Sequence, residues 1–463
     1  MGIMARGSRI SMRSAILILL ALVITSGAAF SDGLVAYPNQ TIAMQQKQSA
    51  VISHENGYEN LLIFVQTSSR VNGPDTNRVW IFPLPAKPSE IEIANLKAFP
   101  SMYGTGLKQR LKGNLESLAL ANFVAAFPPA LLFFFVVGEK YASAGNEKSY
   151  SDRGPIVSNN GYEIWQHIDK YGIATEVMTT QDSARFYRYL EARGTNLSDD
   201  AKLRIEEYIG KDYSFIVSWV SDPAEYRENL WQGTAKGGYY GSTQEPIGVF
   251  ARFPSEKIFY PLKITSAYKE AYIPMKIDIM GYKEPEIFRN ISKETRTEYY
   301  FNDRLQYGLD EEESAKKIFN GTIPRQLRFT RISINAQAKY FLQDLEFDDK
   351  ASVAAITLEI LNAIWLPIAG AMFFCISFLA AWLTNKAVLG GMLGKKQICL
   401  LALSNFLTII GFIAAAFVLK TRLGESERPR FRRLYAIPAF WGIFTALAVV
   451  FAVISALVVS AII

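Results

Sequence analysis

Residues 360–383 read ILNAIWLPIAGAMFFCISFLAAWL, an apolar run that contains no Asp, Glu, Lys or Arg. About 20 such residues suffice for a helix to cross a bilayer. Two further apolar runs, 398–419 and 434–463, follow after short links. The sequence therefore predicts three transmembrane helices, packed as a small bundle, within residues 351–463. Trp365, Trp382 and Trp441 fall near the predicted interfaces, where amphipathic rings prefer to sit. Ionisable groups at depth normally mark ion or proton pathways, and these runs have none at their centres. Glu359 stands at an edge, and Asn405 reads as a helix–helix hydrogen bond. A coupled transporter is disfavoured on that ground.

The rest of the composition agrees. Half of the 463 residues are hydrophobic, too many for an average soluble protein. The net charge of +6 is unevenly distributed: residues 1–30 and 351–463 hold twelve Lys or Arg against three acids, which leaves −3 on residues 31–350. Basic flanks suit anionic headgroups, whereas a mildly acidic central part gives nucleic-acid binding no support. Both cysteines, Cys375 and Cys399, lie in apolar runs, so neither a disulfide framework nor a cysteine zinc site is expected.

At the N-terminus, Arg6, Arg9 and Arg13 precede the apolar stretch Ala15–Ile24, and Ala29-Phe30-Ser31 offers a cleavage point. This is the pattern of a secretory signal over residues 1–31. Beyond it, residues 49–94 read as strands at Leu61–Val65, Val79–Pro83 and Glu90–Ile93, with Gly73-Pro74-Asp75 as a turn. A helical pair follows: Ser183–Arg193, broken at Gly194, then a helix capped by Ser198 with Ala201, Leu203, Ile205 and Ile209 inward. Further strands are expected at Tyr213–Val220, Ile247–Phe253, Tyr260–Thr265 and Ala271–Met280, with Trp231–Gly241 as a mobile insertion. The apolar insert 118–137 is long enough to span, yet Pro128-Pro129 at its centre would break a helix there. A hairpin that dips into the membrane fits better than a kinked span.

Chemistry-bearing patterns are sparse. His54 and His167 lie far apart in sequence and read as packing or surface residues. No nucleophile elbow, paired metal-binding histidines or phosphate-cradling loop is present, so no catalytic residue and no cofactor are assigned. Asp344, Glu346, Asp348 and Asp349 crowd before the first C-terminal helix and are the one metal candidate, for calcium, against the alternative of a solvated acidic face. Asp310–Glu313 reads as a solvated charge run.

The string Val79-Trp80-Ile81-Phe82-Pro83-Leu84-Pro85 followed by Pro88 resembles a signature of the exported prokaryotic domain-of-unknown-function family numbered 2330. Similar pieces are Asp182–Tyr208, Ile209–Trp219 with its Gly-Lys-Asp-Tyr-Ser-Phe-Ile-Val run, and Ile247–Thr265, in the same order from about residue 34 to 282. The resemblance implies an extracytoplasmic α+β domain with no known activity. The insert at 118–137 and the three-helix tail depart from that pattern and imply an added membrane anchor.

The expected architecture is thus an α+β, β-rich extracytoplasmic domain over 32–350 with a helical pair, followed by three transmembrane helices at about 360–383, 398–419 and 434–463. Four sequons, at Asn39, Asn196, Asn290 and Asn320, favour the external placement. Loop charge opposes it: residues 385–397 hold three lysines but 420–433 hold six basic residues. The expected role is a binding or scaffold module in a membrane-associated assembly, with the lipid bilayer and other membrane or surface proteins as partners. A membrane-anchored hydrolase is the alternative, and a channel or transporter subunit ranks third.

Overall fold

The computed structural model describes residues 34–36, 45–68, 79–100, 102–125, 162–195, 197–234, 244–302, 309–391, 393–404, 439–440, 442–451 and 453–454. The signal segment, the Gly73-Pro74-Asp75 turn, the Pro128-Pro129 bend and most of the second and third apolar runs lie outside these residues. The chain forms two compact units. One comprises residues 1–104 and 149–351, the other residues 105–148 and 352–463.

Strands of the first unit are β1 (Leu34–Ala36), β2 (Gln45–Glu55), β3 (Tyr58–Ser68), β4 (Val79–Leu84) and β5 (Glu92–Asn95); β6 (Thr105–Gly106) opens the second unit. After it come β7 (Tyr162–Lys170), β8 (Ile173–Thr180), β9 (Ser214–Val220), β10 (Gln244–Pro254), β11 (Ile258–Tyr260), β12 (Tyr272–Met280), β13 (Thr295–Asn302), β14 (Leu327–Gln337) and β15 (Leu345–Phe347). One sheet runs β1-β4-β9-β8-β7, a larger one β5-β10-β3-β2-β12-β14-β13, and β11 pairs with β15. All described pairings between strands of these sheets are antiparallel except β2 with β12.

The two sheets pack face to face. Trp80, Phe82, Val177 and Ile216 of the smaller meet Ile52, Ile63, Val249, Ile277 and Ile334 of the larger in one core. The opposite face of the smaller sheet (Val79, Ile81, Met178, Phe215, Val217) is covered by the helices Ser183–Glu191 and Asp199–Glu206. The opposite face of the larger (Val51, Leu62, Phe250, Phe329) takes Ile318 from the helix Leu309–Ile318. Strand β4 is therefore buried on both faces, which is why Val-Trp-Ile-Phe-Pro-Leu is continuously apolar instead of alternating. A buried hydrogen-bond network laces the sheets together: Thr175 Oγ1 donates to Asn95 Oδ1 and sits 2.9 Å from Ser218 Oγ, while Asn95 Nδ2 donates to the carbonyl of Lys170.

The helical pair stands as expected, with Asp182 and Ser198 capping the amides of Arg185 and Ala201 and Gly194 left-handed at the break. Three expectations need correction. Leu203 is exposed, because Ala201 and Ile205 alone fix the inward face of that short helix. The strand expected over Tyr260–Thr265 ends at Tyr260 and turns into a 3-10 helix, Lys263–Tyr268. Residues 231–234 close the helix Pro223–Thr234 and are no insertion.

In the second unit the helix Val353–Ala387 is longer than the predicted 360–383, because Ser352 caps it earlier through the amide of Ala355. It is the one described helix long and apolar enough to cross a membrane, and only 11% of its most apolar 18-residue stretch is buried. Along it, Ile376, Ala380 and Ala381 share a core with Leu393, Ile398 and Leu401 around the helix Lys395–Ser404, and with Phe440 and Phe444. Small residues line this contact, as Ser377, Ala380, Ala381 and Thr384 are all buried, which lets helix backbones approach closely. The turn between the two helices is locked by Asn385, whose amide donates to the carbonyl of Leu393 and accepts from its N–H. The helix Leu107–Ala125 packs beside the long helix through Asn114 and Asn362, 2.9 Å apart.

Candidate functional site

Each of the four acids before the long helix is drawn to a different place. Strand β15 alternates, so Leu345 and Phe347 are buried while Glu346 faces solvent. Asp344 accepts from Tyr208 Oη at 3.0 Å and from the Lys263 amide at 2.8 Å, thereby capping the 3-10 helix. Burial pushes its carboxyl up to about 6, although the two donors pull the other way. Asp349 lies 3.0 Å from His54 Nδ1 and is paired with Lys283; burial raises its pKa, but these two donors outweigh it and hold the group below its usual range. Asp348 pairs with Lys350 at 2.6 Å. Among the described residues no three His, Cys, Asp or Glu side chains converge as a metal site. These contacts draw the four acids, the calcium candidates of the sequence, to separate partners, and they tie Asp344 and Asp349 to the fold instead of leaving them in a solvated face. Together the contacts bind residues 344–351 to the first unit, up to the bridge between Lys283 and Ala351.

His54, buried, also contacts the carbonyl of Ser255 at 2.9 Å, so it is a packing residue. Its cross-strand neighbour Glu59 is fully buried and accepts from the Phe259 amide at 2.7 Å. Burial drives the Glu59 carboxyl well above its usual range against that hydrogen bond, because desolvation penalises the charged form.

The most organised polar constellation was not visible in the sequence. His167 and Glu176 face each other across β7 and β8, with His167 Nδ1 3.0 Å from Glu176 Oε1. Glu176, 5% exposed, takes further donors from Tyr189 Oη and from Arg193 Nη2 at 2.9 Å. The Arg193 guanidinium stacks 3.6 Å from the Tyr189 ring centroid and 4.5 Å from that of Trp219. Helix Ser183–Glu191 brings Tyr189 to the sheet, and the turn at Gly194 brings Arg193. The His167 side chain remains half exposed, with Nδ1 held against the Glu176 carboxylate. A similarly satisfied pair, Asp278 with Arg331 (2.6 and 2.9 Å), lies under the rings of Tyr300 and Phe329.

Large side chains collect in one exposed region. The segments at 269–272 and 338–342 adjoin, since the amides of Ala338 and Lys339 donate to the carbonyls of Ala271 and Lys269. They present Tyr272 (59% exposed), Tyr340 (41%) and Leu342 (51%) around Lys339, which pairs with Glu270 at 2.7 Å. Lys269, φ +50° and ψ −107°, occupies a turn geometry that usually takes glycine.

No protein-family model, curated protein or solved structure matches the chain.

Proposed function

We propose that this chain is a membrane-anchored binding or scaffold module, with the lipid bilayer and other membrane or surface proteins as its partners. The single observation that carries the binding role is the exposed aromatic knuckle of Tyr272, Tyr340 and Leu342. Tyrosine-rich exposed surface is what protein contacts use. The buried carboxylates, by contrast, are held by fixed internal donors. Pull-down of a tagged chain from gently solubilised native membrane tests this reading. Replacing Tyr272, Tyr340 and Leu342 with Ser should remove the captured partners without lowering the melting temperature, and unchanged capture would sink the idea.

The anchor reading draws on the lipid-like exposure of Val353–Ala387. Crossing by all three apolar runs is supported by the core that Ile376, Ile398 and Phe444 share. The external placement of residues 32–350, the signal peptide and membership of the family numbered 2330 rest on the sequence patterns described above. A second reading, a hydrolase, is favoured by one observation alone: the half-exposed His167 ring is held by a buried carboxylate, Glu176. If it holds, His167→Ala abolishes turnover of model esters while the fold persists.

A further inference from the structure

Resting on the external placement of residues 32–350, we propose that Asn290 is the attachment site of an N-linked glycan. Asn290-Ile291-Ser292 and Asn320-Gly321-Thr322 are the two sequons whose asparagine lies among the described residues. The fold treats these asparagines differently. Asn320 has a positive φ of 50°, a conformation that asparagine tolerates better than most residues. Its carboxamide oxygen is drawn into the structure, accepting from Asn60 Nδ2 at 2.9 Å and from Arg252 Nη1 at 3.1 Å. The fold therefore has its own use for asparagine at 320. Asn290 has no such duty: its φ is not positive, and among the described residues its carboxamide has no hydrogen-bond partner.

Asn290 stands third in a turn closed by the Ile291 amide, which donates to the carbonyl of Phe288 at 3.2 Å. Arg289, Asn290, Ser292, Lys293 and Glu294 are all exposed, and Ser292 Oγ donates to the carbonyl of Arg289 at 3.0 Å. Ile291, fully buried between the two sequon residues, anchors the turn in the core between the sheets. The sequon is therefore read before Ile291 docks, and the finished fold leaves the sugar in solvent. The step is a glycosyl transfer from a lipid-phosphate-linked oligosaccharide, catalysed by a membrane oligosaccharyl transferase on the exported side. Asn290 Nδ2 attacks the anomeric carbon, so a C–N bond forms as the C–O bond to phosphate breaks. The electron pair of that bond leaves with the lipid phosphate, which takes up the proton lost from Nδ2, and nothing is oxidised or reduced.

The test is peptide mass spectrometry on the full chain, purified from the membrane of the organism that makes it. The peptide carrying Asn290 should be heavier by a whole number of sugar residues. That added mass should vanish in Asn290→Gln and in Ser292→Ala, and persist in Ser292→Thr, which keeps the hydroxyl that defines the sequon. Placement is read separately, with Lys293→Cys in a chain whose Cys375 and Cys399 are replaced. An impermeant thiol reagent added to intact cells should label it. An unmodified Asn290 peptide in cells that label Lys293→Cys overturns the proposal and leaves the external placement standing. Labelling of Lys293→Cys only after permeabilisation, with Asn290 unmodified, overturns the placement and the proposal with it. A sugar undiminished in Ser292→Ala means that no sequon is being read at this turn, and it also overturns the proposal.

Discussion

Asp344 shows what neighbouring acids become once a strand separates them. In the sequence it is one of four carboxylates within six residues; in the fold it braces Tyr208 and the start of a 3-10 helix. Its folded pKa, pushed up to about 6, exceeds the usual 3.8. The native state therefore holds a proton that the unfolded chain releases, and stability falls as pH rises from about 4 to 6, by at most about 3 kcal/mol. Burial of Glu59 has the same sign from its usual value upward. Asp349, held low by Lys283 and His54, has the opposite sign: its contribution is complete above its usual value and is lost as pH falls below it. Asp344→Asn should match the parent chain near pH 4 and melt higher at pH 7.5, because an amide keeps the acceptor for the Lys263 amide. Equal melting curves at both pH values would show that Asp344 is not strained by burial. The Glu176 constellation was illegible for a related reason. His167, Glu176, Arg193 and Trp219 are spread over 53 positions, and only the β7–β8 register and the turn at Gly194 unite them.

Among the elements, apolar pattern located β3, β4, β9, β10 and β12 because each carries an unbroken or strictly alternating buried face. It missed others for identifiable reasons. Strand β13, Thr-Arg-Thr-Glu-Tyr-Tyr-Phe-Asn, is half exposed along its whole length and offers no apolar alternation. Strand β14 changes its apolar face midway: Leu327 and Phe329 face the helix side, while Ile332, Ile334 and Ala336 face the sheet core. Strand β7 loses its period at the irregularity between Ile164 and Gln166. The pairing of Leu107–Ala125 with the long helix was equally hidden, since it turns on two asparagines 248 positions apart. Asparagine contacts between membrane helices contribute about 0.6 kcal/mol, and at most about 1.7. Asn362→Leu should thus lower stability in detergent by about 1 kcal/mol, and Asn114→Leu should add little once Asn362 is gone. Additive losses in this double-mutant cycle would mean that the two side chains are not coupled.

For the molecule as a whole, strand pairing constrains how the apolar insert can meet the membrane. Strand β4 precedes residues 105–148 and pairs with β9, which follows them; β3 and β5 likewise pair with β10, and β2 with β12. Both sheets therefore draw on both sides of the insert, and neither could form if the chain changed compartment there. A single span by the insert is at odds with these strand pairings. The hairpin expected from the sequence around Pro128-Pro129 is compatible with this constraint. The same constraint keeps the charge-rule conflict alive: it removes the arrangement in which the later part of the domain moves to the other side. Single cysteines made by Lys112→Cys and Lys140→Cys, in a chain with Cys375 and Cys399 replaced, test this in sealed, uniformly oriented vesicles. An impermeant thiol reagent should label both positions or neither, and the outer face of the vesicle then tells which side the β-rich unit occupies. Labelling of one position alone would mean that the insert crosses once, and the strand pairings would then have to be wrong.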